Sequence, residues 1–146
     1  MVERHDVSMA IEITGMGFSW GGSRNPVLSI EKLRIRSGER VFIEGPSGSG
    51  KSTLLSLIAG VITPQQGMIR VNGYDLNTLK GATRDRIRAD HIGYIYQMFN
   101  LIPYLSVLEN VTLPCRFSPR RRDRASSQSS GYRAEATRLL HALGMG

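Results

Sequence analysis

The sequence predicts an α/β fold, and three stretches carry that reading. Residues 41 to 60 run from a short apolar stretch, Val41-Phe42-Ile43, through a glycine-rich turn into an apolar helix. Residues 10 to 45 and 67 to 80 hold the alternation and turn residues of a β-rich subdomain with core strands, and beyond Gln97 helix signals take over. At 146 residues the chain can bury a core of its own, and 40% hydrophobic with 21% charged residues is an ordinary globular balance.

In chain order, AIEITGMGFSW over residues 10 to 20 alternates as an antiparallel strand interrupted by Gly15 and Gly17, and Gly21-Gly22-Ser23 turns the chain. Val27 to Arg36 places Leu28, Ile30, Leu33 and Ile35 in a mixed pattern. Val41-Phe42-Ile43 reads as a short core strand buried on both faces. Leu54, Leu55, Leu57 and Ile58 then recur at helical spacing, with Gly60 where a helix ends. Gly67 to Val71 is a strand entering Asn72-Gly73, a dipeptide suited to a tight hairpin.

Thr83 to Asp90 is helix-compatible, and Ile92 to Tyr96 reads as an apolar core strand ending at Gln97. Ser106 is the expected N-cap of the next helix, with Glu109 completing a capping box and Pro114 limiting its length. Residues 118 to 131 read as a basic, polar linker. A last amphipathic helix places Tyr132, Ala136, Leu139, Leu140 and Leu143 on one face, with Gly144 as its stop.

No run approaches the ~18 apolar residues of a membrane span, and MVERHDVSMA lacks the apolar centre of a secretory signal, so a cytosolic chain is expected. Cys115 is the only cysteine, which excludes an intramolecular disulfide and reads as a small packed hydrophobe. His5, His91 and His141 are too scattered to suggest a metal site. The net charge is +7 with a pI near 10.2, but much of the excess sits in Ser118 to Arg124. That distribution argues against a nucleic-acid groove; it suits a solvated linker or contact with acidic lipid headgroups or an acidic partner.

The chemistry concentrates in GPSGSGKST, residues 45 to 53. Gly45, Gly50, Lys51 and Ser52 meet the pattern of a phosphate-binding loop, with Pro46, Ser47, Gly48 and Ser49 completing the turn. Glycine lets successive backbone N–H groups converge on phosphate oxygens, and the helix start adds unpaired donors and the positive end of its dipole. Lys51 brings a full charge to the β- and γ-phosphates, the Ser52 hydroxyl can ligand Mg²⁺, and Thr53 can bond near the α-phosphate. The alternative is a structural Gly-Ser turn, which the preceding apolar run and following helix disfavour. Glu44 adjoins the loop, and its carboxylate is expected to point away or to pair with a basic group.

GPSGSGKSTLL, joined to IGYIYQMFNLIPYLSVLENV at residues 92 to 111, resembles the nucleotide-binding domain of ATP-binding cassette transporters, from about Ile11 to the last residue. LNTLKGATRDRIRADHIGYIYQ and NLIPYLSVLENVTLP are most similar to subunits of lipoprotein-releasing and macrolide-exporter-type systems. The resemblance implies ATP and Mg²⁺ as cofactors and a P-loop NTPase core, with an antiparallel β subdomain before it and the start of a helical subdomain after it. Residues 45 to 60 would be loop and helix, 92 to 97 the strand leading into a glutamine loop, and 98 to 146 the helical part.

Three roles carry over by resemblance. Trp20 matches an aromatic that stacks on adenine, with Phe18 the substitute; a core aromatic is the alternative. Gln97 matches a glutamine that touches Mg²⁺ and the attacking water, so Lys51 and Gln97 are the expected catalytic residues and Ser52 and Gln97 the expected metal ligands. Met98, Phe99, Leu101, Ile102, Tyr104 and Leu105 in the loop 97 to 105 either receive a helix of a transmembrane permease or pack as a core loop. The implied assembly pairs this chain head-to-tail with a second nucleotide-binding subunit on the cytoplasmic face of the membrane, without nucleic acid.

Family members also carry an Asp-Glu pair ending a strand, a Leu-Ser-Gly-Gly-Gln-type signature and a switch histidine. None of these follows Gln97 here, where the only acids after Val111 are Asp123 and Glu135. The resemblance therefore implies the N-terminal part of a longer, truncated domain, whether a cloned fragment or a natural one, with an open apolar sheet edge and no turnover by itself. Two competing readings stay open: a non-catalytic nucleotide-binding or regulatory module, and a soluble ATPase of the DNA-repair or translation type.

Overall fold

The computed structural model describes residues 8–21, 26–98 and 100–145. It divides into two compact units, Met1–Asp85 and Arg86–Gly146. The first holds a four-stranded antiparallel sheet made of β1 (Met9–Phe18), β2 (Leu28–Arg36), β3 (Gln66–Val71) and β4 (Tyr74–Asp75), in the order β2-β1-β3-β4. Helix α1 (Lys51–Ile58) follows the glycine loop. α2 (Gly81–His91) crosses the unit boundary, and α3 (Val107–Phe117), α4 (Pro119–Ser126) and α5 (Tyr132–Ala142) form the second unit.

β1 and β3 are the interior strands, and their facing side chains form the centre of the core. Ile13 and Ile69 stand opposite each other across β1 and β3 and are both fully buried. Each contributes about 1.5–3 kcal/mol by leaving water. Met16, Phe18 and Val71 extend this layer, and Leu54 and Leu57 of α1, with Ala59 and Leu76, complete the buried set of the first unit. The β3–β4 hairpin turns at Asn72 and Gly73 with φ of 48° and 82°, the paired positive angles that the dipeptide predicts.

The strand β1 shifts register between Thr14 and Gly17, opposite the start of β3. Gly67 fits that irregularity and nothing larger does: it sits at φ +83°, and a Cβ there would lie 2.3 Å from the Gly15 carbonyl oxygen. Just before it, the Gln65 N–H donates to the Gly17 carbonyl at 3.2 Å. The Gln65 side-chain amide also clasps Ser19, accepting from its N–H at 2.9 Å and donating to its carbonyl at 2.7 Å.

Two expected core strands do not form. Residues 41–46 and 92–96 run without strand pairing; Phe42 is 87% and Ile95 96% exposed. An apolar run becomes a strand only when neighbours complete its ladder, and parallel core strands need them on both sides. Among the described residues no strand pairs with either run. Tyr94 and Tyr96 instead contact each other with ring centroids 4.5 Å apart.

Three helical readings also change. Pro114 lies inside α3 and does not end it; the helix continues to Phe117, and the Ser118 N–H donates to the Pro114 carbonyl at 3.1 Å. The segment 118–131 is no linker through most of its length, because Ser118 caps α4 and Pro119 takes the first helical position, where its missing N–H costs nothing. Arg121 then reaches back to the end of α2, donating to the carbonyls of Ala89 and, at 2.7 Å, Ile92. Buried Ser118 donates to Asp90 at 2.5 Å, and Arg120 contacts His91. In α5, Ala136 is buried as expected, but Leu139 and, just past the helix, Leu143 are exposed, and Glu135 takes a buried position with Arg138 bonded to both its carboxylate oxygens.

The capping box forms as predicted. The Glu109 N–H donates to the Ser106 hydroxyl at 3.2 Å, and the Glu109 carboxylate accepts from the Ser106 N–H at 2.9 Å. The Ser106 backbone N–H and then its hydroxyl hold the Glu109 carboxyl below its ordinary value of 4.5. A lowered folded value means that this stabilisation is complete above the unfolded value and is lost as pH falls through the folded one. Glu109→Gln should therefore be less stable than wild type at neutral pH, with the gap closing on acidification below 4.5 in pH-resolved denaturant titrations. Gly67→Ala should cost about 2–4 kcal/mol in the same assay, because both the left-handed φ and the Gly15 carbonyl oppose a side chain.

Candidate functional site

The glycine loop is open to solvent over Pro46 to Ser49 and closes into α1 at Gly50. Gly50 is the N-cap, at φ 93° and ψ 7°, and the first intrahelical bond runs from the Leu54 N–H to its carbonyl at 2.8 Å. No side chain caps this helix end, and no acid stands in its first turn. The first N–H groups of α1 are thus left for an external acceptor, and the helix dipole favours an anion there.

Lys51 folds back over the loop. Its ammonium donates to the carbonyls of Gly45 and Pro46, each at 2.7 Å, and stands 3.5 Å from the Ser49 hydroxyl. A lysine normally ranges through solvent on a flexible stem; here the charge is tethered to the loop that would receive an anion. Ser52 is exposed and Thr53 half-buried at the helix start, and Glu44 is exposed. Positive charge, uncapped donors and an open turn coincide within nine residues, a combination suited to a polyphosphate.

The loop rests on the sheet through Gly50. A Cβ on this residue would lie 2.7 Å from Leu28 Cδ2 and 3.5 Å from the Val27 carbonyl. Val27 is tied in turn to β1, its N–H donating to the Phe18 carbonyl at 2.8 Å. The end of β1 is therefore brought beside the phosphate loop, and Trp20 stands two residues beyond it. Trp20 is 55% exposed and meets the Phe18 ring edge-on, with centroids 4.9 Å apart. This is not a core aromatic. Phe18, by contrast, is buried and has no free face, so it supports Trp20 and cannot replace it.

Gln97 and the apolar loop belong to the second unit. Gln97 is exposed, as are Met98, Leu101 and Tyr104, the last at 84%. Ile102 and Leu105 are half-buried; Phe99, like His5, Gly22 and Ser23, lies outside the described residues. Asn110, which sequence reasoning left without a role, fastens this loop to α3. Its amide accepts from the Ile102 N–H at 2.8 Å and donates to the carbonyls of Ile102, Leu105 and Ser106, each at 3.1 Å. The only sequence signal was an amide one turn into a capped helix. Among the described residues no three His, Cys, Asp or Glu side chains cluster to hold a metal, and no helix is long and apolar enough to cross a membrane.

An exposed glycine loop, a back-folded lysine and an uncapped helix define a phosphate-binding loop of the nucleotide-binding class. The chain belongs to the ABC transporter family, whose model matches residues 28–146. It is 41% identical over 128 residues to the lipoprotein-releasing system ATP-binding protein LolD of Novosphingobium aromaticivorans, covering 88% of this chain and 54% of that protein. It is 38% identical over 129 residues to the macrolide export ATP-binding/permease protein MacB of Marinobacter nauticus, covering 88% and 19% respectively. A solved dimeric ATP-binding cassette in a post-hydrolysis state with ADP and Pi superposes with a TM-score of 0.68 at 38% identity, over 73% of this chain and 47% of that one. The chain spans about half or less of the length of the relatives it matches.

The two loop glycines with tight surroundings should respond differently. At Gly50 an added methyl meets Leu28 and a left-handed φ, so Gly50→Ala should weaken tripolyphosphate binding by about tenfold or more. At Gly45 it meets only the Ser49 side chain, the hydroxyl at 2.7 Å and Cβ at 3.5 Å, and a rotamer change of that exposed serine relieves the close contact, so Gly45→Ala should stay within about threefold. Isothermal titration of both variants checks the order; equal losses would show that Gly50 is not the anchoring point.

Proposed function

We propose that this chain is the ATP-binding part of an ABC transporter cassette that couples ATP binding and hydrolysis to the export or release of a substrate at a membrane. The observation that carries the reading is the Lys51 ammonium held within the glycine loop at the uncapped start of α1. Backbone N–H groups of the loop bind the phosphates, and Lys51 exchanges the carbonyls of Gly45 and Pro46 for β- and γ-phosphate oxygens. That exchange restores its hydrogen bonds while adding a charge-assisted pair, so the anion is favoured over the clasp.

Trp20 offers its exposed indole face to adenine, and its edge contact with Phe18 limits the rotamers it must give up. By the resemblance, Ser52 and Gln97 are the residues that would hold Mg²⁺, and a neutral hydroxyl or amide oxygen is a donor that a hard cation accepts. When bound, the ion would supply positive charge against the negative charge that builds up in hydrolysis. The apolar loop 97–105, with Met98, Leu101 and Tyr104 exposed, is the surface for a transmembrane permease subunit. A second cassette completes the assembly head-to-tail, on the cytoplasmic face of the membrane. The MacB relative, an ATP-binding/permease protein, supports a permease partner, and the dimer seen for the solved cassette supports a second cassette.

These 146 residues supply the grip on nucleotide, whereas hydrolysis also needs an acidic metal partner and a water-positioning group. The chain by itself should bind a non-hydrolysable ATP analogue in calorimetry, and Lys51→Ala should lose that binding entirely. Unchanged affinity in the variant would remove the phosphate role from Lys51. Purified chain should release no phosphate from ATP; activity that disappears with Lys51→Ala would show that the catalytic set is present after all.

A further inference from the structure

The strand ladders stop just short of Trp20. On one side β1 pairs with β3 as far as Gly17 opposite Gln66; on the other, Phe18 pairs with Leu28 and accepts from the Val27 N–H. Ser19 lies beyond both ladders, in the one residue that separates them from the indole. A strand end at that point frays unless something continues the rung.

We infer that Gln65 is a positioning residue for Trp20: its side-chain amide reaches across 46 residues of sequence to bond both the N–H and the carbonyl of Ser19, adding a rung to β1. The geometry copies an antiparallel pair, in which one residue exchanges both an N–H and a C=O bond with its partner. Glutamine suits this because its primary amide carries a donor and an acceptor side by side, as a peptide does. The Gln65 N–H adds a third bond, to the Gly17 carbonyl, so one residue grips β1 at two points on either side of Phe18. Phe18 is the ring on which Trp20 rests. Gln65 therefore fixes both the backbone leading into Trp20 and the strand that carries its support.

This inference rests on the reading of Trp20 as the adenine platform. Its consequence is a division of labour within the site: Lys51 and Gly50 set affinity for phosphate, and Gln65 sets the part of affinity that depends on the base. A residue that merely sealed the sheet would affect both parts alike.

Trp20 is the only tryptophan, so its fluorescence reports on the platform directly. The full 146-residue chain is titrated with a non-hydrolysable ATP analogue and, separately, with tripolyphosphate, in wild type, Gln65→Leu, Trp20→Ala and the double variant, using calorimetry, with Trp20 anisotropy decay recorded where Trp20 is present. Gln65→Leu keeps a branched side chain of similar bulk, one bond shorter and without its hydrogen bonds. It should weaken the ATP analogue by about three- to tenfold. It should leave tripolyphosphate within error and increase the fast component of the Trp20 decay. In the Trp20→Ala background the same substitution should have no further effect. Equal loss for both ligands, unchanged affinity for both, or an undiminished effect without Trp20 would each overturn the positioning role while leaving the phosphate site intact. Wild type that binds neither ligand would remove the phosphate site, and the positioning role with it.

Discussion

The site depends on one constraint, the left-handed turn at Gly50 pressed against Leu28. It changes the chain from open loop to helix at the residue where the first α1 donors emerge, and it anchors that point to the sheet. A side chain at Gly50 would need both a rare backbone angle and space that Leu28 and Val27 already fill. The loop thus costs little entropy on binding an anion, because its geometry is set by contacts that do not involve the anion. Val27 passes the constraint on to Phe18 and so to Trp20, which makes the β1–β2 connection part of the same site.

Sequence reasoning found this loop because its requirements are local. Glycine positions, the lysine and the helix start are all set within nine residues, and the same holds for the Asn72-Gly73 hairpin and the Ser106–Glu109 box. Alternation marked β1 for the same reason, and the Asn72-Gly73 turn marked the end of β3, whereas the mixed pattern of 27–36 left β2 unassigned. What escaped was whatever depends on distant partners. Val41-Phe42-Ile43 and Ile92 to Tyr96 have the composition of core strands, but pairing belongs to the neighbours and not to the run. The arginine-rich stretch misled in the opposite direction: its charge suggested a linker, and Arg120, Arg122 and Arg124 are indeed exposed, but Ser118 at the cap, Pro119 at the first turn and carbonyls at the end of α2 for Arg121 make a helix.

Within the site, legibility followed the same rule. Exposure of Trp20 and burial of Phe18 separate a platform from its support, and alternation could not distinguish them. Gln65 and Asn110 were silent because an amide has no periodicity to betray it; each acts through several bonds to main-chain groups, Gln65 on a strand end and Asn110 on the loop 102–106. Both fasten irregular backbone next to residues that the family resemblance singles out. Precise placement of exposed groups here relies on side-chain amides standing in for missing ladder bonds.

The central claim is that polyphosphate is received by the backbone of the glycine loop together with Lys51, and not by the arginines of α4. The direct test is an amide chemical-shift map of the isotopically labelled chain on addition of Mg²⁺ and a non-hydrolysable ATP analogue. The account predicts saturable shifts at Gly48, Gly50, Lys51 and Ser52, with a concurrent shift of the Trp20 indole N–H. Shifts confined to Arg120, Arg122 and Arg124, with the loop unmoved, would contradict it.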